Sequence, residues 1–217
     1  MSYNELYEVS RAGSIQSARV VVPVLVDLLR PQSVIDVGCG EGWWLSVFQE
    51  HGVSTVTGID GSHIDTDRLL IPQSSFRPHN LQRITTKTAT PHDVAISLEV
   101  AEHLPEERAA NFVEFLIACA PVIVFSAAMP RQGGMGHVNE QWPGYWANLF
   151  AQRGYRGTGA LRWKFWMDPR IEHWYQQLFV YATDTAIEAN PALRALMDSP
   201  LASPWPVIHP VLWESRA

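Results

Sequence analysis

The chain predicts an α/β fold, a doubly wound and mostly parallel seven-stranded sheet with an antiparallel hairpin at one edge. Three observations carry that expectation. Short apolar runs alternate with amphipathic stretches along most of the chain. The runs lack a polar face, as strands covered by helices on both sides must. Strand followed by helix, repeated, sets successive strands side by side and parallel.

Residues 1–32 read as a helical lead-in. "SVIDVG" (33–38) is a strand ending in glycine, and "EGWWLSVFQEHG" after it is a helix closed by Gly52. "STVTGID" (54–60) is the second strand and "SSFRPHNL" (74–81) holds a weaker third. "DVAISLEV" (93–100) is the fourth, and "PEERAANFVEFLIACA" is a helix with Pro105 in its first turn. "PVIVFSAA" (121–128) is the fifth strand, and "QWPGYWANLFAQRG" forms another helix. Beyond it, "YRGTGALRWKFW" and "WYQQLFVYAT" read as the edge hairpin. The expected division is one domain over 1–217, with a core at 33–184 and a C-terminal helix and proline-rich surface tail at 185–217.

Composition narrows the function. The 217 residues are 47% hydrophobic, enough for a sizeable core, and carry 16 basic against 22 acidic side chains for a net charge of −6. Without a Lys/Arg stripe to neutralise phosphates, a long nucleic acid is not an expected partner. Cys39 and Cys119 have no C-x-x-C spacing. With no signal-like start and no apolar span near bilayer length, the expectation is a cytoplasmic protein without a membrane partner. Oligomeric state is not legible.

"DVGCGEG" sets Asp36, Gly38, Gly40 and Gly42 between a strand and a helix. Glycines there permit a tight turn and close approach to a ligand, and the helix start offers free N–H groups. A dinucleotide fingerprint needs a third glycine where Trp43 stands. The D-x-G-x-G-x-G present instead resembles the first motif of the Rossmann-like (class I) S-adenosylmethionine-dependent methyltransferases. The resemblance implies that cofactor and that fold. It implies that Asp60, ending the second strand, takes the ribose hydroxyls. Asn80 and Leu81 fall where the family often has Asp-Leu near the adenine, and Glu99 falls near the methionine end.

"SLEVAEHLP" (97–105) holds Glu99, Glu102 and His103 within five positions. If the segment is helical, positions i, i+3 and i+4 share a face. "GGMGHVNEQW" adds His137 after the fifth strand, on the carboxyl edge where open α/β sheets bind ligands. Two carboxylates and two imidazoles suit a divalent ion with positions left open. Two other readings stay open: Glu102 and His103 only begin a helix, or His137 is a metal-free general base. The E-x-x-E-H with a later His, and the H-x-x-E-x-W string, resemble small-RNA 3′-terminal ribose 2′-O-methyltransferases, which hold Mg²⁺ with such a set. "LEVAEHL" also resembles ubiquinone-pathway O-methyltransferases.

An alcohol is a weak nucleophile toward a sulfonium methyl, and a metal ion lowers its pKa and orients it. The expected function is therefore O-methylation of a hydroxylated small molecule, a sugar or natural product, aided by Mg²⁺ or by Mn²⁺ or Fe²⁺. His137, Glu99 and His103 are the expected catalytic residues. The alternatives are a metal-independent N- or C-methyltransferase and a non-catalytic cofactor-binding protein. "RQGGMGH" (131–137) is expected to flex and close over the site. Six of nine tryptophans lie between Trp142 and Trp205. Tyr145, Trp146, Arg162, Trp163, Trp166 and Trp174 are candidates for an acceptor-stacking wall, with core packing as the alternative.

Overall fold

The computed structural model describes residues 3–203 and 206–214. Its centre is a seven-stranded sheet of order β3-β2-β1-β4-β5-β7-β6. The strands are β1 (Ser33–Val37), β2 (Thr55–Asp60), β3 (Phe76–Pro78), β4 (Val94–Leu98), β5 (Val122–Ser126), β6 (Tyr155–Thr158) and β7 (Phe179–Thr183). The first five pair in parallel, while β7 runs antiparallel to both β5 and β6. This is the expected Rossmann-like sheet with an antiparallel edge.

Alternation along each strand feeds two separate cores. Val34, Val122 and Val124 face one side, beneath α1 (Tyr3–Leu29), α2 (Trp43–Glu50) and α7 (Pro191–Met197). Ile35, Ile123 and Phe125 face the other, beneath α3 (Glu106–Cys119) and α4 (Pro143–Ala151). On that second face Phe150 stacks on Tyr181 with ring centroids 4.0 Å apart. Pro143 opens α4, where its fixed φ and missing N–H do no harm.

Three expectations change. The segment 155–166 is strand only to Thr158, and residues Arg162–Phe165 form a short helix, α5. Arg162 and Phe165, three positions apart, are both buried, which suits one face of a helical turn and not a strand. Likewise 174–183 is strand only from Phe179, because His173–Gln176 make a 3₁₀ turn. The C-terminal segment is more than a surface tail. After α6 (Asp184–Ala189), α7 buries Leu193 and Met197, and α8 (Pro210–Glu214) buries Leu212. Trp205 lies outside the described residues.

The lead-in is the expected helix, α1, but it corrects the expectation of no apolar span near bilayer length. Ala12–Leu29 is long and apolar enough to cross a membrane, with mean hydropathy 1.4. In the fold Ala18, Val21, Val22 and Leu25 are fully buried in the first core, so that composition serves packing.

Candidate active site

The carboxyl ends of the parallel strands open into a cleft of about 1290 Å³. Gly38 follows β1, Asp60 ends β2, Asn80 follows β3, Glu99 follows β4, and Gln132 follows β5, and all five line it. Behind lies a smaller cavity of about 200 Å³ reached by Asp36, Gly40, Trp44 and Tyr175.

The glycine loop needs its glycines because Gly38, Gly40 and Gly42 have φ of 94°, 54° and 83°, the left-handed region. A side chain on Gly38 would also run into Val100. Asp60 holds the loop: Oδ2 accepts from Gly40 N at 2.7 Å and Oδ1 from Gly61 N at 2.6 Å. The expected cofactor residues Gly38, Asp60, Asn80, Leu81 and Glu99 share the cleft, while Asp36 and Gly40 lie behind it. Gly42 lines neither cavity; it caps α2 and packs on Ile71. Asn80 Oδ1 is used locally, accepting from Gln82 N at 2.9 Å. Burial, reinforced by Asp60, pushes the Asp36 carboxyl well above its ordinary range.

The E-x-x-E-H segment is not a helix. Glu99 has φ 57°, a strained conformation for a residue with a Cβ, and Ala101–His103 form a 3₁₀ turn. Helix α3 starts only at Glu106, with Pro105 as its cap. Helical spacing therefore does not bring the ligands together; the turn and the next loop do. Val138 N and Asn139 N both donate to Glu102 O, at 2.9 and 3.0 Å, which docks the 137 loop on the turn.

Glu102, His103 and His137 converge, each offering one ligand atom within 4.8 Å of the others. Glu99 is not part of that group. Its Oε2 instead accepts from Gln132 Nε2 at 2.7 Å. Burial pushes Glu99 up to about 7, against the opposing Ser126 hydroxyl and Gln132 amide. Glu102 is fully buried, neither carboxylate oxygen makes a well-formed hydrogen bond, and the backbone N–H groups of Glu102 and Ala128 alone favour its charged form. Burial, then the neighbouring Glu99, raise its pKa well above the usual value. Burial and His137 lower that of His103, whose ring meets His137 edge-on at 4.9 Å. A buried carboxylate with no well-formed hydrogen bond, facing two imidazoles, fits a divalent cation. With Glu99 outside the group, the donors are two nitrogens and one carboxylate.

Glu140 stands in the H-x-x-E-x-W string, but the sequence assigned it no role. Its carboxylate accepts from Arg131 N at 2.8 Å, Gly133 N at 2.6 Å and His137 Nδ1 at 3.0 Å. These bonds, led by that to His137, outweigh desolvation and lower its pKa. With Gln132 Oε1 accepting from Met129 N at 3.2 Å, the 131–137 loop is tied down at several points. The wall expected from six residues reduces to one. Trp174 lines the cleft, whereas Trp146 and Arg162 are buried in the fold. Trp163 and Trp166 pack on each other at 5.3 Å, and Tyr145 packs on Trp146 at 5.1 Å. The cleft's other lining residues include Met135, His173 and Leu212.

Comparison with known proteins gives the family. A family model described as a methyltransferase domain matches residues 16–176. No curated protein matches the chain. Among solved structures, the methyltransferase domain of bacterial CtHen1 is 21% identical, with TM-score 0.52 over 65% of this chain and 87% of that one. Magnesium protoporphyrin IX methyltransferase (ChlM) from Synechocystis PCC 6803, with bound SAM, is 22% identical, with TM-score 0.52 over 71% and 75%. The sugar N-methyltransferase KedS8 from Streptoalloteichus sp ATCC 53650 is 14% identical, with TM-score 0.62 over 84% and 93%. The glycine loop, the acid closing β2 and the strand order agree with that match over three quarters of the chain, which belongs to the methyltransferase-domain family and is a Rossmann-like S-adenosylmethionine-dependent methyltransferase.

Proposed function

We propose that this enzyme methylates a hydroxyl group of a small molecule, a sugar or natural product, with help from a divalent metal ion. The carrying observation is Glu102, a fully buried carboxylate with no well-formed hydrogen bond, which faces His103 and His137. Glu102, His103 and His137 would hold the ion, and the ion would lower the acceptor's pKa and orient it. Two nitrogens and one carboxylate make the site softer than the four-ligand set the sequence suggested. Mn²⁺ or Fe²⁺ therefore suits it better than Mg²⁺.

The chain's own groups do the rest. Asp60 and the glycine loop bind the cofactor, with Asn80 and Leu81 toward the adenine. Glu99 lines the same cleft, where Gln132 orients it. The acceptor oxygen forms a bond to the methyl carbon as the carbon–sulfur bond breaks, releasing S-adenosylhomocysteine. Glu99, pushed up to about 7, is the carboxylate suited to take the hydroxyl proton. Catalysis is otherwise positioning in line. The buried, unpaired thiols of Cys39 and Cys119 agree with a cytoplasmic location.

A methyl-transfer screen against sugars, phenols and amines, run in EDTA and then with Mn²⁺, Fe²⁺ or Mg²⁺ restored, tests this reading. The expected product is a methyl ether, formed only with metal present. Transfer to an amine with full activity in EDTA would replace it with the metal-independent alternative.

A further inference from the structure

We infer that the methyl acceptor is an uncharged ring compound, seated between the Glu102–His103–His137 group and a wall made by Trp174 and Leu212. This rests on the methyltransferase reading and adds the acceptor's chemical class and its second contact surface. Room comes first. The cleft's 1290 Å³ exceeds the roughly 300–1,000 Å³ of a site for one ligand, so a second molecule fits beside the cofactor. The two have separate places. Asn80 follows β3 and His137 follows β5, four strand spacings away in the sheet, or roughly 19 Å at the usual separation.

Charge supplies the class. Among the described residues lining the cleft there is no Lys or Arg, and the carboxylates are Asp60, Glu99 and Glu102. S-adenosylmethionine carries one net positive charge, from its sulfonium and ammonium against its carboxylate. A divalent ion carries two. Together they match the three carboxylates, and since His63, His79, His103, His137 and His173 carry no permanent charge, no permanent cation is left among the described lining residues to pair with a phosphate or carboxylate on the acceptor. They equally leave no unmatched acid for an amine. Burying an unpaired charge is strongly unfavourable, so an uncharged acceptor is the one the loaded cleft accommodates.

The wall supplies the ring. Trp174 is held edge-on against His173, with centroids 4.8 Å apart, and so offers a fixed flat surface. Leu212 is brought to the cleft by α8, whose approach is fastened at two points. His209 Nε2 donates to Trp166 O at 2.8 Å, and Gln177 Nε2 donates to Val207 O at 2.8 Å. A sugar or aromatic ring lying on that surface turns its edge, where the hydroxyls are, toward the histidines.

Ligand-observed saturation-transfer NMR on the full chain, saturated with Mg²⁺ and with sinefungin, a non-reactive cofactor analogue that keeps the single net positive charge of S-adenosylmethionine, tests the inference. The probes are catechol and methyl glucoside, their anionic analogues protocatechuate and glucose 6-phosphate, and the amines dopamine and glucosamine. The uncharged probes should give the strongest signal, falling at least fivefold in Leu212→Trp and in Trp174→Ala. Calorimetry should show both variants still binding S-adenosylhomocysteine. Stronger variant-sensitive signals from the anions or amines would overturn the charge assignment. No variant-sensitive signal from any probe would overturn the subsite. Failure of the unmodified chain to bind S-adenosylhomocysteine would instead bring down the methyltransferase reading beneath it.

Discussion

His137 Nδ1 donates to Glu140 Oε1 at 3.0 Å, which leaves Nε2 facing Glu102 Oε1 at 3.9 Å. The carboxylate accepts, so Nδ1 is committed to Glu140 and Nε2 is the ring atom left for an ion beside the buried acid. A ligating histidine whose other nitrogen is held by a carboxylate is fixed in tautomer and made more basic. Glu140→Gln should therefore weaken Mn²⁺ binding by about 10–100-fold, the range for losing such a partner. Electron paramagnetic resonance of free Mn²⁺ gives the affinity. S-adenosylhomocysteine affinity should stay within about twofold, since Glu140 does not line the cleft. Unchanged Mn²⁺ affinity would remove Glu140 from this role.

Glu102 makes the metal-free protein less stable than its packing allows, because a buried carboxylate with no well-formed hydrogen bond is costly. Glu102→Gln should keep the shape and remove the charge. Its melting temperature without metal should match or exceed that of the unmodified protein. Methyl transfer should be abolished. Adding Mn²⁺ to about 100 times its dissociation constant should stabilise the unmodified chain by about 2.7 kcal/mol and the variant not at all. Equal stabilisation of both by Mn²⁺ in differential scanning calorimetry would move the ion elsewhere.

The parts of this site visible in the sequence are those whose chemistry is local. Left-handed φ at Gly38, Gly40 and Gly42 demands glycine, and glycine is visible as a letter. Asp60 is visible because it ends a strand. The Glu102, His103 and His137 group was legible by composition, but helical spacing was the wrong reason for it, and Glu99 does not join it. Gln132 and Leu212 were not legible, and Glu140, though it stands in the H-x-x-E-x-W string, showed no sign of its role as a partner of His137. Their roles depend on how a loop closes on a turn and how a C-terminal segment returns to the cleft, and neither has a period or a motif. Arg162 misled in the same way. Its guanidinium lies 5.1 Å from the Phe179 ring and bonds Gln177 Oε1 at 3.4 Å, which makes it part of the fold's interior and not a surface binder.

Asp60 combines two tasks, and its removal should show both. Its oxygens hold Gly40 N and Gly61 N, and it lines the cleft where a ribose would lie. Asp60→Ala should weaken S-adenosylhomocysteine binding by about 1.5–3 kcal/mol, the range for hydrogen bonds to a charged group. Calorimetry reads this directly. Binding that stays within about twofold would take the ribose away from Asp60.

His92 sets a pH dependence of stability unrelated to the active site. It is buried, with Nδ1 donating to Thr90 O at 2.8 Å and Nε2 2.9 Å from Thr57 Oγ1, so the neutral ring satisfies both contacts. Burial, aided by Arg77, lowers its pKa from the ordinary 6.5, against the Thr90 carbonyl and Asp93. The unfolded chain therefore binds this proton more readily than the folded one. The contribution is fully present above about pH 6.5 and is lost as pH falls from there through the lower folded value, below which the loss levels off. Asp36 and Glu102, whose folded pKa values are raised, act in the opposite direction, and so the total curve conceals the histidine. Subtracting His92→Gln isolates it. In urea titrations from pH 7.5 to 5, the stability advantage of the unmodified chain over the variant should shrink steadily below about pH 6.5. An advantage independent of pH across that window, or one that grows in acid, would show that His92 is as easily protonated folded as unfolded.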